Sequence, residues 1–379
     1  MKAKSMNSTT ASKKRKTFLR TAMKTFAAIT GAVILIAGIL MAYAVHIYND
    51  SVVAHLNSYK PLMLHVEDYE GLTCDDYTFE SDKGQKLQGY MYSAGENQRG
   101  IIVLAHGYGK GHNSYMNCAN YFAQHGYFVF AYDVTGTDKS EGVGAQNGIG
   151  GFPQSVIDLD YAISFVKESG NFPDLPIGLF GHSWGGYSVS SVLTFHPDVS
   201  SVIECSGCNT SSDLFKILGK SHAGEMVYAM EPFIKAYEHI KYGEYATNTA
   251  LDGFANSDAP VMVVHGAADR VVPISYGYDL YYEQYKDDPR FSFIRFNNKG
   301  HNDFFYKDNN AYKKQLDHEL KQWQESLSYD VTVPENKSQF SADKAAFLEE
   351  NLDREQWAYR LDEELFAQFL TFYDEHMIA

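Results

Sequence analysis

The sequence predicts an α/β protein: a mostly parallel central sheet flanked by helices, with a small helical lid, preceded by one N-terminal transmembrane helix. Three observations predict it. Short, continuously apolar strands alternate with helical stretches from about residue 100 onward, the pattern of a parallel sheet buried on both faces. Glycines and reactive side chains gather at the carboxyl ends of those strands, where open α/β sheets place their working residues. Residues 25–49 contain no Lys, Arg, Asp or Glu and follow a strongly basic terminus.

Taken in order, residues 1–24 carry eight Lys or Arg and no acid, a basic cytoplasmic segment. Residues 25–49 are a transmembrane signal anchor, since a helix of about 20 apolar residues at 1.5 Å each crosses a hydrocarbon core of roughly 30 Å. The positive flank predicts a single pass at the cell membrane, with everything after about residue 50 extracytoplasmic. Ala42-Tyr43-Ala44 also fits a signal-peptidase site, so secretion after cleavage near Ala44 is the competing reading. The apolar stretch exceeds the roughly 7–15 residues of a signal h-region, which favours the anchor. Residues 50–75 form a juxtamembrane connector and 76–379 the α/β domain.

Within that domain, residues 76–81 and 87–93 read as a hairpin about Asp82-Lys83-Gly84. Strands follow at 100–109, 126–133, 175–182, 199–207, 259–269 and 291–301, with helices at 115–125, 152–169 and 184–196 between them. Residues 208–257 lack a strong strand and are rich in Met and Tyr; they read as a helical lid. In it Tyr228, Phe233, Tyr237, Tyr242 and Tyr245 either line an acyl pocket or form the lid's own packing face, the latter favoured. Residues 326–343 read as an exposed polar loop between a helix at 310–325 and a final helix at 354–377.

Charge excludes one class of function. The chain carries −15, and with the eight cations of its first 24 residues set aside the remainder carries −23, which repels phosphate backbones and argues against nucleic acid. Cys74, Cys118, Cys205 and Cys208 are too few for a disulfide scaffold. Cys205 and Cys208 have C-x-x-C spacing, read as two buried thiols or one local disulfide; without a second ligand pair a zinc site is not expected.

The chemistry concentrates on Ser183. Gly181-His-Ser183-Trp-Gly185 is a G-x-S-x-G pentapeptide between an apolar strand and a helix start, a sharp turn that lifts the serine hydroxyl above the sheet edge. Two later strands end at Asp269 and His301. A serine hydroxyl needs an imidazole to take its proton, and the imidazole needs a carboxylate to fix its tautomer and stabilise its charge. Asp303 and Asp258 are the alternative acids. The amides of Trp184 and Tyr108 suit an oxyanion hole, with Gly107 and Gly109 allowing close approach. His106 and His182 read as structural, and no cofactor or metal is called for.

LAHGYG, GHSWGG, HGAADRVVP and KGHNDF, in this order and spacing, resemble the α/β-hydrolase fold, in particular its bacterial esterases, lipases and serine aminopeptidases. The resemblance covers roughly residues 75–325 plus the final helix. It implies Ser183 as nucleophile, Asp269 as acid and His301 as base. In AYDVTGTDKSEG, Asp138 replaces the second glycine of the family's D-x-x-G-x-G-x-S loop, and Asp133 is expected to be structural. The leading expectation is a membrane-anchored serine esterase acting on a small-molecule ester through an acyl-serine. The alternatives are a peptidase or amidase, with Glu225, Glu231 or Glu238 holding a substrate ammonium, and an inactive surface binding protein.

Overall fold

A computed structural model describes residues 5–96 and 99–377. Its centre is an eight-stranded sheet in the order β1-β2-β4-β3-β5-β6-β7-β8. β1 (Thr73–Glu80) and β2 (Lys86–Ser93) form the expected antiparallel hairpin, Phe79 opposite Leu87, and β2 pairs antiparallel with β4. β3 (Ile101–Ala105), β4 (Phe128–Tyr132), β5 (Ile177–His182), β6 (Ser201–Cys205), β7 (Val261–Gly266) and β8 (Phe291–Phe296) are parallel.

Strand alternation splits the apolar residues between two cores. Ile101 and Val103 of β3 face one side with Leu179 and Val263, while Ile102 and Leu104 face the other with Phe180 and Val264. The first core is closed by α1 (Ser5–Val52), α3 (Gln154–Glu168), α4 (Trp184–Ser191), the lid helices and α9 (Tyr278–Tyr285). The lid comprises α5 (Ser211–Ala223), α6 (Met226–Tyr242), α7 (Glu244–Thr247) and α8 (Ala250–Asn256). The second core is closed by α2 (Met116–Gln124), α10 (Ala311–Glu325), α11 (Lys337–Asn351), α12 (Arg354–Ala358) and α13 (Glu363–His376). There Phe122, Phe180, Phe366, Phe369 and Tyr373 are fully buried, each worth roughly 1.5–3 kcal/mol of apolar transfer.

α1 behaves differently along its length. Phe26, Val33, Ile34, Leu35 and Ile39 are exposed, whereas Ala44, Ile47, Tyr48 and Val52 are buried in the first core against the lid. It is the one helix among the described residues long and apolar enough to cross a membrane. Beyond it the connector is pinned to the loop after β4: Asp138 Oδ1 accepts the Ser58 amide at 2.6 Å and Oδ2 the Ser58 hydroxyl at 2.7 Å. Asp138, at φ 44°, keeps the left-handed backbone that glycine favours and adds a carboxylate clamp.

Two sequence expectations are corrected. The polar stretch 326–343 becomes helical at Lys337, where α11 packs its Phe347 ring on Trp323 at 4.9 Å. The final helix is broken between α12 and α13, because Leu361 bridges Tyr306 and Asp362 starts α13 by accepting the Leu365 amide.

Candidate active site

The turn after β5 carries Ser183 at φ 61°, ψ −117°, a conformation that costs a non-glycine residue on the order of 1–3 kcal/mol. The flanking glycines make that turn possible by close approach. A Cβ on Gly181 would lie 2.2 Å from the Gly185 carbonyl oxygen, and one on Gly185 would lie 2.0 Å from that of Ala105. The Ser183 amide donates to Cys205 O at 2.8 Å, tying the turn to β6. Ser183 is half-buried, and Trp184 opens α4, where a first-turn amide has no acceptor within its own helix.

Asp269 and His301, 32 residues apart, meet: His301 Nδ1 donates to Asp269 Oδ2 at 2.6 Å. The Val271 and Val272 amides donate to Oδ1 at 2.8 and 2.9 Å, and His265 Nε2 approaches Oδ2 at 3.3 Å. Burial alone would raise the Asp269 carboxyl, but the hydrogen bonds from His265 and His301 outweigh it and hold the group well below the usual carboxylate range. With its Nδ1 proton committed to Asp269, His301 presents a lone pair on Nε2. Asp303 lies in the turn after His301, and the His301 contact goes to Asp269.

His182 joins the two halves of the site. Its Nε2–H donates to His301 O at 3.0 Å, its ring centroid lies 4.6 Å from that of His301, and the next residue is Ser183. His182 Nδ1 therefore accepts from Tyr115, whose hydroxyl stands 2.8 Å away and itself accepts the Gly107 amide at 3.2 Å. Burial, then the neighbouring His301, pushes the His182 pKa well below the usual histidine value, so this chain of bonds runs through a neutral ring. The loop after β3 is thereby drawn to Ser183: a Cβ on Gly107 would lie 3.4 Å from the Ser183 Cβ. Tyr108 follows, its hydroxyl donating to Ser51 O at the end of α1 at 2.6 Å. His106 is structural as expected, accepting the Val134 amide at 2.9 Å. Asp133 is likewise bonded within the scaffold, to the His112 ring at 2.8 Å and Tyr90 at 3.1 Å.

His265 and Tyr115 escaped the sequence reading, and His182 was read as packing alone. His265 had a faint signal, four residues before Asp269 at the end of β7; Tyr115 had none, since its two partners, Gly107 after β3 and His182 at the end of β5, meet it only in the fold. In the lid, Tyr237 bonds Asn49 at 3.2 Å, Tyr242 bonds Gly150 O at 2.5 Å and Tyr245 bonds Asp160, which is packing. Its three candidate glutamates do not gather into one acidic cluster. Glu225 pairs with Lys220, Glu231 with Lys216 and Lys235, and Glu238 is buried against Tyr48 and Ser211. Cys205 and Cys208 are buried free thiols, their pKa values pushed up by burial.

The sheet order and the strand-to-helix turn at Ser183 define an α/β-hydrolase. Residues 96–231 match the family model described as serine aminopeptidase, S33. A monoacylglycerol lipase of Mycolicibacterium smegmatis is 25% identical over 233 residues, 54% of this chain and 82% of the lipase. The uncharacterized protein YfhR of Escherichia coli K12 is 21% identical over 213 residues, 55% of this chain and 68% of YfhR. A Pyrococcus furiosus esterase structure superimposes at a TM-score of 0.48 with 16% identity, covering 67% of this chain and 91% of the esterase. The chain is a serine hydrolase of the α/β-hydrolase fold.

Proposed function

We propose that the protein is a membrane-anchored, outward-facing serine hydrolase that cleaves carboxylic esters through an acyl-serine intermediate. The observation that carries this reading is the 2.6 Å His301–Asp269 contact, seated through His182 against the turn of Ser183. His301 Nε2 takes the Ser183 proton as Oγ attacks the ester carbonyl, and the ionised Asp269 stabilises the imidazolium. The amides of Tyr108 and Trp184 receive the developing oxyanion. His301 then protonates the leaving alcohol, and a water deprotonated by His301 releases the acid and restores Ser183.

The ester preference rests on the lipase relative and on the lid glutamates, of which Glu238 is buried against hydroxyls and Glu231 and Glu225 are paired with lysines. Anchoring rests on the continuity of α1, whose apolar stretch runs without a break into turns packed beneath the lid at about residues 208–257. The full chain in non-ionic detergent should be labelled by a fluorophosphonate at Ser183 and hydrolyse short p-nitrophenyl esters faster than aminoacyl naphthylamides. Failure of labelling would overturn the nucleophile; the opposite substrate order would replace the esterase by a peptidase.

A further inference from the structure

We propose that a cavity bounded by the connector, the loop after β3 and helices α10 and α12 binds an anion, a phosphate or carboxylate group carried on a partly apolar molecule. The cavity encloses about 350 Å³. Its lining includes Asn302 and Asp303, next to the candidate base, but not Ser183, Asp269 or His301. It is therefore distinct from the three candidate catalytic side chains, although Tyr115, which bonds His182, also lines it.

Arg360 carries the argument. It lines the cavity with only 7% of its surface exposed, yet among the described residues no carboxylate lies within ion-pair distance of it. Its guanidinium is sandwiched between Trp357 at 3.5 Å and Tyr306 at 4.0 Å. Nη1 donates to Asn310 Oδ1 at 3.3 Å, while Nε is buried with no partner. A buried cation without a counter-charge is strongly unfavourable, and aromatic faces compensate it only in part. A planar donor fork left open in this way matches an incoming phosphate or carboxylate.

The rest of the lining agrees. Lys110, Lys313 and Lys314 join Arg360 against Asp303 and Asp317, leaving two net positive charges in a chain of net charge −15. Lys313 already pairs with Asp317 at 2.5 Å and Lys314 with Asn309 O at 2.5 Å, whereas Lys110 Nζ has no such partner among the described residues. Partial desolvation, and then the nearby Lys313 and Arg360, lower the Lys110 ammonium from the usual lysine value. Leu62, Met63 and Phe305 supply an apolar wall for the remainder of the ligand. Four of the nineteen lining residues fall within residues 96–231, and the others come from the connector, the segment after His301, α10 and the stretch from α12 to Arg360.

The test uses the full chain in non-ionic detergent and follows its thermal midpoint with inorganic phosphate, hexyl phosphate and hexanoate, each against chloride at equal ionic strength. Lysophosphatidylglycerol mixed into the micelles, against lysophosphatidylcholine, is the lipid arm. Saturable stabilisation is expected, weakened about tenfold in apparent affinity by Lys110→Met and by Lys313→Gln, the loss of one charge-assisted bond. Saturation by the soluble anions points to a free metabolite, and a response confined to lysophosphatidylglycerol points to a lipid headgroup; either supports the site. Arg360→Met should abolish the effect, and if that variant does not fold the two lysine variants still decide. No stabilisation beyond chloride, or unchanged affinity in both lysine variants, would overturn the proposal.

Discussion

Asp269 at the sheet edge and Glu238 in the lid are both buried carboxylates, and their surroundings drive them in opposite directions. Asp269 receives two backbone amides and the His301 ring, with His265 beside it, and is held well below the usual range. Glu238 receives two hydroxyls, Tyr48 at 2.8 Å and Ser211 at 2.6 Å, and burial pushes it up to about 7. Burial is common to both; the number and charge of the donors differ. A carboxylate that steadies a positive imidazole must stay ionised, so it is surrounded by strong donors. One that joins α1 to the lid need only accept hydrogen bonds, and neutral hydroxyls suffice.

The largest effect should come from breaking the ionised member. Asp269→Asn keeps the shape but offers His301 an amide, which favours the wrong tautomer and cannot stabilise the imidazolium. Ester turnover should fall roughly 10³–10⁴-fold, as for loss of a triad carboxylate. Stopped-assay rates on a p-nitrophenyl ester, with near-ultraviolet circular dichroism to verify the fold, measure it. A fall of less than tenfold would remove Asp269 from the chemistry.

The second prediction sharpens the contrast by removing the neutral member's charge. The folded pKa of Glu238, about 7, lies above the ordinary glutamate value of 4.5. Its contribution to stability is therefore full below about pH 4.5 and is lost as pH rises through 7. Glu238→Gln cannot ionise, so the variant should be more stable than wild type at pH 8 by up to about 3 kcal/mol, with the difference falling to under about 1 kcal/mol at pH 5. Thermal midpoints across pH 5–8 test this; a difference that grows toward acid would reverse the assignment.

How much of either region the sequence revealed follows from the range of the forces involved. The Ser183 turn was legible because Gly181 and Gly185 answer a local need, and the strands because five or six apolar residues in a row suit a sheet covered on both faces. Asp269 and His301 were legible as strand ends, and their contact follows from adjacent β7 and β8. The Tyr48–Glu238 seam was not, since Tyr48 sits in a long apolar stretch and only tertiary packing shows which of its turns meet the lid. α11 escaped because it buries little besides Leu348, and its stack on Trp323 is a contact between distant segments. The three glutamates looked like an acidic cluster only while their lysine and hydroxyl partners were unseen.

The smallest effect concerns a residue that neither ionises nor touches the reacting atoms. Tyr115 takes a proton contact from the Gly107 amide and gives one to His182, which in turn gives one to the His301 carbonyl. Three segments, after β3, at the end of β5 and after β8, are thus held by a single string of hydrogen bonds through two buried side chains. Tyr115→Phe keeps the ring but leaves the Gly107 N–H and His182 Nδ1 buried and unpaired, at a cost of about 1–3 kcal/mol. Part of that cost should appear as loosened geometry: kcat lower by on the order of tenfold with KM little changed, because the loss falls on alignment rather than on binding. A purely structural tyrosine would instead lower the thermal midpoint and leave kcat per labelled active site intact. Counting active sites by fluorophosphonate titration before comparing rates separates the two outcomes.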